Sequence, residues 1–259
     1  MTNLSKEQFN ASRSGGGVTL VIAGAGTGKT KTLIRKITTI IENGISSPNI
    51  LVLTFSRKAA EEIRSRVRED IGDPALGLVA GTFHSFCLTV LKEHSETYKA
   101  RFGYRHFPSV MEEDERKRMI SEVLRQRIGD FLGIPLDVVE RFVSDPFKCE
   151  GSIKTRLDHF GLSEKIHEVR EAFQREKVSR SVVDFQDLIN HALDMLENDE
   201  EIRRVVRDTY QYVLVDEFQD TSPDNFRLLE LITKTDSPNL FVVGDDWQSI
   251  YGFRYSNIE

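Results

Sequence analysis

The chain has 259 residues, of which 39% are hydrophobic and 29% charged, as in an ordinary globular protein long enough for one large or two smaller cores. No apolar run approaches the roughly 20 residues that cross a bilayer, and the N-terminus is polar, so we expect no membrane partner and a cytoplasmic protein. Two cysteines, far apart in sequence, are too few to suggest a disulfide or zinc framework, and a net charge of −6 means that any binding of nucleic acid must rest on locally placed residues.

The first predicted element is a short helix over residues 4–12, with Ser5 as its N-cap. Gln8 lies in this helix, a few residues before the first strand. A glutamine just before a phosphate loop can bind the edge of adenine through its amide donor and acceptor. Taken alone, Gln8 is more simply interpreted as a structural residue.

A phosphate-binding loop is predicted from Val21-Ile-Ala-Gly-Ala-Gly-Thr-Gly-Lys-Thr30, where an apolar strand runs into a glycine-rich turn. A helix then begins near Lys29, so backbone N–H groups and the helix N-terminus would cradle phosphate. Lys29 would reach the terminal phosphates, and the Thr30 hydroxyl would hold Mg²⁺. The loop pattern usually begins with Gly where this chain has Ala23, which is tolerated in a strand-like conformation. A glycine-rich turn without a ligand is the less favoured interpretation.

Strands and helices alternate through the first third of the chain, which predicts a parallel sheet with right-handed crossovers. Further strands are expected at 49–55 and 78–83, followed by helices at 58–67 and 84–91. Between 94 and 183 we find no convincing buried strand, and helices are predicted over 112–128, 135–143 and 164–176. The Arg and Lys side chains of this helical block are expected on solvated surfaces.

The α/β pattern then resumes, with helices at 183–193, 200–210 and 225–232 and strands at 212–217 and 239–244. The predicted fold is therefore an α/β domain with a parallel sheet, formed by residues 1–93 and 184–259. A mainly α-helical subdomain, residues 94–183, is inserted between its third and fourth strands.

Two carboxylates, Asp216 and Glu217, end the predicted strand at 212–217, and ligands of α/β sheets bind where parallel strands end. Asp216 is the predicted Mg²⁺ ligand, and Glu217 would polarise the water that attacks the γ-phosphate. A guanine-binding motif is a rival interpretation, since Thr233-Lys-Thr-Asp236 matches its pattern. That motif must follow a buried strand, whereas the preceding residues have the pattern of a helix, so ATP is the favoured nucleotide.

Five segments in order resemble the motifs of UvrD/Rep-type superfamily 1 DNA helicases. They are Ala23-Gly-Ala-Gly-Thr-Gly-Lys-Thr30, Leu53-Thr-Phe-Ser-Arg-Lys-Ala-Ala60, Gly81-Thr-Phe-His84, Val215-Asp-Glu-Phe-Gln-Asp220 and Val243-Gly-Asp-Asp-Trp-Gln-Ser-Ile-Tyr-Gly-Phe-Arg254. The resemblance covers almost the whole chain. It implies that the α/β part is a RecA-like P-loop NTPase motor domain and that the helical block is the family's inserted subdomain.

The resemblance also implies ATP and Mg²⁺ as cofactors, single-stranded DNA and duplex junctions as partners, and three-prime to five-prime translocation. Gln8 would contact adenine, which reverses the structural interpretation above. Catalysis would use Lys29, Asp216, Glu217 and Gln248, the last as a γ-phosphate sensor linked to the DNA surface. The implied nucleotide contacts are Gln8, Ala25, Gly26, Thr27, Gly28, Lys29, Thr30, Lys31 and Arg254. The implied DNA contacts are Phe55, Ser56, Thr82, His84, Tyr251 and Phe253.

The chain departs from the family pattern at several positions. Phe253 stands where Trp is common, which would weaken base stacking, and Lys31 stands where Arg is common, which removes a planar guanidinium. Core packing remains an alternative role for Phe55, Phe83 and Tyr251.

The family's second RecA-like domain, which supplies arginine fingers, is missing from these residues. We therefore expect the N-terminal portion of a longer helicase, nearly inactive alone. A helicase–nuclease motor or a non-catalytic nucleotide-binding regulatory module are the alternatives.

Overall fold

The computed structural model describes residues 4–24, 26–128, 143 and 163–245. The helix predicted over 135–143 lies outside these residues except for Val143, which is helical. Five predicted site residues also lie outside them: Ala25, Gln248, Tyr251, Phe253 and Arg254. The chain divides into two compact units, one formed by Met1–Glu93 with Ile189–Glu259 and the other by His94–Leu188. Within the described ranges no helix is both long and apolar enough to cross a membrane.

The first unit contains a parallel sheet of five strands, β1 (Gly17–Ile22), β2 (Ile50–Thr54), β3 (Val79–Thr82), β6 (Tyr212–Val215) and β7 (Asn239–Gly244). Their spatial order is β1-β7-β6-β2-β3. Because all pairs are parallel, their carboxyl ends meet at one edge of the sheet, where the candidate site lies. The predicted α/β class with a parallel sheet is confirmed.

Two amphipathic helices, α2 (Lys29–Glu42) and α3 (Arg57–Ile71), cover one face of this sheet. Their apolar residues recur at helical spacing and pack on alternate strand residues, which share one face. Complete burial of each such side chain contributes about 1.5–3 kcal/mol. The fully buried members of this core are Leu33, Ile37, Ile50, Val52, Ile63, Val67, Leu214 and Val243.

Side-chain caps define where the other helices of the first unit begin. These helices are α1 (Lys6–Ser12), α4 (Phe83–Glu93), α9 (Glu200–Thr209) and α10 (Pro223–Ile232). Ser5, Asp199 and Ser222 each accept a hydrogen bond from the backbone N–H three residues on, at the starts of α1, α9 and α10. Thr233-Lys-Thr-Asp236 therefore follows a helix, as expected, and the guanine-binding interpretation lacks its strand.

The second unit is built around α6 (Glu113–Ile128) and α7 (Ser163–Arg180), with α5 (Ser95–Phe102) before them. Helix α8 (Phe185–Asn198) spans the boundary between the units. The predicted apolar stripe of α6 is buried against residues of α7. The members of this core are Met111, Met119, Ile120, Val123, Leu124, Val143, Val169, Ala172, Phe173 and Val182.

The expectation that this block has no buried strand was wrong in one place. Two short strands, β4 (Ser109–Val110) and β5 (Val182–Val183), form a parallel pair, and both valines of β5 are buried. Two residues are too few to show the alternation that identifies a strand in a sequence.

The expectation of solvated Lys and Arg side chains was wrong for Lys177, whose side chain is 1% exposed. Its Nζ lies 2.7 Å from Asp187 Oδ2, 3.2 Å from Asp184 Oδ2 and 4.8 Å from the centroid of the Phe173 ring. The two carboxylates also accept hydrogen bonds from each other's backbone N–H at the start of α8. Burial raises the pKa of Asp187, while the positive charge of Lys177 opposes this shift.

Candidate nucleotide site

The glycine loop curls between β1 and α2 as a phosphate cradle must. Ala23 N–H donates to Gly244 O at 3.0 Å, which continues the β1–β7 pairing and accounts for Ala at the first loop position. Gly26 and Gly28 have φ of 72° and 90°, values that favour glycine. Helix α2 begins at Lys29 directly after Gly28, so its free N–H groups and positive dipole end adjoin the loop.

Gln8 joins helix α1 to this loop. Its Nε2 donates to Thr27 O, and its Oε1 accepts from Ser5 N–H at 2.9 Å in a capping box. The contact is close enough that a Cβ on Gly28 would lie 2.8 Å from Gln8 Nε2. The amide keeps one N–H and one lone pair for another partner, so the structural role coexists with the adenine contact expected from the family.

The Lys29 ammonium is enclosed by carboxylates from two other strand ends. Its Nζ lies 3.2 Å from Asp245 Oδ2 and 3.6 Å from Glu217 Oε2. Asp245 follows β7, and Glu217 follows β6, so the sheet order β1-β7-β6 brings all three side chains together. The two carboxylates therefore hold the Lys29 ammonium beside the loop, where a phosphate would approach.

Thr30 and Asp216 form the second pair of the site. Thr30 Oγ1 donates to Asp216 Oδ2 at 3.3 Å, and Asp216 N–H donates to Leu53 O, which continues the pairing of β6 with β2. Burial, and then the charge of Glu217, raise the pKa of Asp216 to about 6. A hydroxyl and a buried carboxylate at this distance are the hard oxygen donors that Mg²⁺ prefers, so these residues fit the predicted ion. Within the described residues no group of three or more His, Cys, Asp and Glu side chains is placed to hold a metal ion.

Glu217 has a left-handed backbone conformation, with φ 53° and ψ 48°, which is uncommon outside glycine. Gln219 Nε2 donates to Glu217 Oε2 at 2.7 Å, and Gln219 Oε1 accepts from Asp245 N–H at 2.9 Å. Gln219 is buried and so bridges the ends of β6 and β7. Lys29, Asp245, Gln219 and Glu217 thus form a closed ring of contacts, which we call the site ring.

Gln219 and Asp245 were missed by the sequence reasoning, although both stand in the quoted motifs. A polar residue directly after a predicted buried strand was the available signal for Asp245, as it was for Asp216. The Gln219 contact depends on β7 lying next to β6, and the order of strands in the sheet cannot be obtained from the alternation of elements.

The described residues predicted to contact DNA lie at or just beyond the carboxyl ends of β2 and β3. Ser56 and Thr82 are helix caps, since Ser56 Oγ accepts from Ala59 N–H and Thr82 Oγ1 from Ser85 N–H. The half-buried Phe55 ring packs against the buried Phe83 ring, with centroids 5.5 Å apart. His84 is half-buried on the first turn of α4. Phe83 is therefore a core residue. Contact of Phe55, Ser56, Thr82 and His84 with DNA stays a prediction.

Comparison with known proteins gives a family. The model of the UvrD/REP helicase N-terminal domain matches residues 4–259. An ATP-dependent DNA helicase PcrA of Staphylococcus epidermidis is 31% identical over 263 residues, covering 99% of this chain and 35% of that protein. One of Staphylococcus aureus is 30% identical over 265 residues, covering all of this chain and 35% of that protein. The chain thus spans about a third of the length of these relatives, and it belongs to the UvrD/REP helicase N-terminal domain family.

Proposed function

We propose that this chain is the ATP-binding portion of a DNA helicase motor that couples ATP hydrolysis to movement along single-stranded DNA, three-prime to five-prime. The observation that carries the proposal is the convergence of Lys29, Thr30, Asp216 and Glu217 at the carboxyl edge of the sheet. Lys29 and Thr30 open α2, Asp216 and Glu217 follow β6 more than 180 positions later in sequence, and the four meet beside a phosphate loop.

The roles of the described residues follow from their chemistry. The loop amides and the N-terminus of α2 hold phosphate oxygens, and Lys29 exchanges its carboxylate partners for the terminal phosphates. Thr30 and Asp216 would hold Mg²⁺, which neutralises phosphate charge when it is bound. Glu217 is only half-buried and is oriented by Gln219, so it can accept a proton from an attacking water.

The DNA-binding part of the proposal rests on Phe55, Ser56, Thr82 and His84, which share the carboxyl side of the sheet with the nucleotide site. Stacking of bases on aromatic rings contributes about 1–3 kcal/mol per base and needs no positive net charge. We assign residues 1–93 and 184–259 to the motor domain and residues 94–183 to an inserted helical subdomain, a boundary that lies before the division between the compact units after Leu188. The relatives' greater length supports a second motor domain that completes catalysis.

The proposal is tested by measuring binding of a fluorescent ATP analogue with Mg²⁺ to the 259-residue chain. Lys29→Ala should weaken binding at least about tenfold, because charge-assisted bonds to phosphate are lost. Lys92→Ala, which removes an exposed lysine at the end of α4, is the matched control and should bind as the parent does. Unchanged affinity in Lys29→Ala would contradict ATP binding at this loop.

A second measurement tests whether the catalytic site needs a second motor domain. The isolated chain should hydrolyse ATP very slowly, with little stimulation by single-stranded DNA. Robust DNA-stimulated turnover by residues 1–259 would show that no second domain is needed. A non-catalytic regulatory module is disfavoured, because nucleotide binding alone gives no reason for Gln219 to orient Glu217.

A further inference from the structure

A groove runs beside β3, the strand at the opposite edge of the sheet from β1. Helix α3 lines one side of it and helix α4 the other, with β3 between them. The groove has a volume of about 480 Å³, which is typical of ligand-binding clefts. Strand β3 has four residues, so the groove follows it for about 13 Å from Thr82 at the carboxyl edge of the sheet. Its lining residues all belong to the first compact unit.

Two arginines determine the charge of the α3 side. Arg57 and Arg64 line the groove and are exposed, and Glu61 is the one acidic side chain among its described lining residues. Arg57 has no hydrogen-bond or ion-pair partner in the part of the chain that the structure describes. Arg64 Nη1 donates to Ala80 O at 3.2 Å, which holds the guanidinium beside β3 and uses one of its five N–H groups. The other donors of both arginines can bind an anion.

The α4 side of the groove presents acceptors instead of cations. Its lining residues are Ser85, Phe86 and Thr89. Ser85 Oγ donates to Thr82 O and Thr89 Oγ1 donates to Ser85 O, so each hydroxyl oxygen keeps lone pairs for an incoming N–H group. The groove therefore suits a ligand with anionic groups along one side and polar N–H groups along the other. A single strand of nucleic acid, with phosphates on one side and base amino groups on the other, has this chemistry.

The groove is continuous with the edge where DNA contact is predicted. Thr82 lines the groove and is itself one of the predicted contacts, and Ser56 directly precedes Arg57. A strand that lies on the carboxyl ends of β2 and β3 would thus meet the groove without a gap. The local positive charge also compensates for the net charge of −6, which repels a polyanion elsewhere on the surface.

A peptide that adds to the free edge of β3 is the competing occupant. Among the described residues β3 pairs with β2 alone, and free strand edges can bind an extended peptide. However, Arg64 already binds a main-chain carbonyl of this strand, and charged side chains placed on an edge protect it from strand addition. The same guanidinium remains able to bind phosphate, so the contact favours nucleic acid.

We propose that the groove between α3 and α4 binds the backbone of single-stranded DNA where the strand continues beyond the carboxyl edge of the sheet, with Arg57 and Arg64 bound to successive phosphates. The proposal rests on the proposed function, because it lengthens the predicted DNA surface by the length of β3. Bidentate guanidinium contacts fix the position of a phosphate, so this extension would hold the strand in one path without reading its sequence.

Binding of short and long oligothymidylates to the nucleotide-free, full-length protein tests the arginines. An oligonucleotide of about eight nucleotides covers the edge, and one of about 16 also reaches the groove. Arg64→Gln should weaken binding of the long one at least about fivefold and lower the slope of log K against log salt by about 0.7, with the short one within about twofold. Arg68→Gln, an exposed arginine of α3 that does not line the groove, is the matched control and should bind as the parent does.

A substitution with the opposite effect removes ambiguity from any loss of stability in Arg64→Gln. Glu61→Gln leaves the bond to Ala80 intact and removes the carboxylate from the groove, so binding of the long oligonucleotide should tighten by about two- to threefold. Glu69→Gln, on the same helix and outside the groove, is its control and should change neither affinity. Equal melting temperatures of Glu61→Gln and the parent would show that the gain comes from charge.

The two lengths separate failure of the groove from failure of the proposed function. His84→Ala, at the edge, should weaken both oligonucleotides alike, and no binding of either would overturn DNA binding as a whole. If both bind but Arg64→Gln and Glu61→Gln leave the long one unchanged, the groove proposal is wrong and the edge remains. Displacement of the long oligonucleotide from the parent, but not from Arg64→Gln, by polyglutamate of equal charge would assign the groove to an acidic peptide and also overturn the proposal.

Discussion

Two buried lysines, one in each compact unit, show how similar charge clusters serve different ends. Lys29 lies with Asp245 and Glu217 beside the phosphate loop, and Lys177 lies with Asp184 and Asp187 in the helical unit. Both ammonium groups are almost inaccessible to solvent, at 8% and 1% side-chain exposure. Each has two carboxylates within 4 Å.

The difference lies in where the carboxylates come from and how far they are exposed to solvent. Asp184 and Asp187 are 7 and 10 residues from Lys177, and each accepts a hydrogen bond from the other's backbone. Asp245 is 216 residues from Lys29, and the Glu217 side chain is 43% exposed. The Lys177 cluster is local and internally satisfied, as in a structural element. The Lys29 cluster is assembled by the sheet and is open on one side, as a ligand requires.

Removal of the structural lysine should have the largest effect. Lys177→Met leaves two carboxylates buried without their cation, so the free energy of unfolding should fall by about 3–5 kcal/mol. Urea denaturation measures this loss. Lys177→Met with Asp187→Asn should recover part of it, because one uncompensated charge is removed. A smaller loss of unfolding free energy in Lys177→Met than in Lys29→Met would contradict the assignment of the Lys177 cluster as structural and the Lys29 cluster as ligand-binding.

Glu217→Gln tests the catalytic role of the carboxylates around Lys29. The amide cannot accept a proton from water, so single-turnover ATP hydrolysis by the full-length protein should fall at least about 100-fold, while the affinity for the ATP analogue stays within about threefold. Glu201→Gln, at an exposed position on α9, is the control and should hydrolyse at the parental rate. A parental rate in Glu217→Gln would remove this residue from the mechanism.

Gln219→Ala tests whether the site ring orients Glu217. Hydrolysis by the full-length protein should slow by about tenfold with little change in nucleotide affinity, because a freed carboxylate samples unproductive rotamers. Gln211→Ala, exposed just before β6, is the matched control. A loss of affinity equal to the loss of rate would indicate a general disturbance of the site instead.

Asp216→Asn should have the smallest effect, and it tests how burial of this carboxylate changes stability with pH. The pKa of Asp216 is raised to about 6 from 3.8, so the folded chain binds the extra proton and loses stability as pH rises between these values. Without Mg²⁺, the variant should therefore be more stable than the parent by about 1 kcal/mol at pH 7.5, and the advantage should vanish near pH 4. Thermal denaturation at both pH values measures this, and a pH-independent difference would exclude titration of Asp216.

The two clusters also show what could be predicted from the sequence. Lys29 and Thr30 were found because they close a glycine-rich loop that follows an apolar strand. Asp216 and Glu217 were found because they stand at the end of an apolar strand, a position with a fixed place in a parallel sheet. Gln219 and Asp245 were missed because their contact depends on β7 lying between β1 and β6, which is set by packing. Lys177 was missed because α7 has charges all round, and its burial follows from the cap at the start of α8, a contact between separate elements.

The pairing of β1 with β7 has a consequence for synthesis on the ribosome. Gly17 pairs with Asn239, so the first strand to emerge waits for a neighbour made more than 200 residues later. At about 5–20 residues per second, this delay is roughly 10 s or longer. During that interval the edge of β1 that β7 will bind is unpaired and open to other chains. The nascent chain should therefore depend on a chaperone that shields apolar segments until Gly244 has left the ribosome.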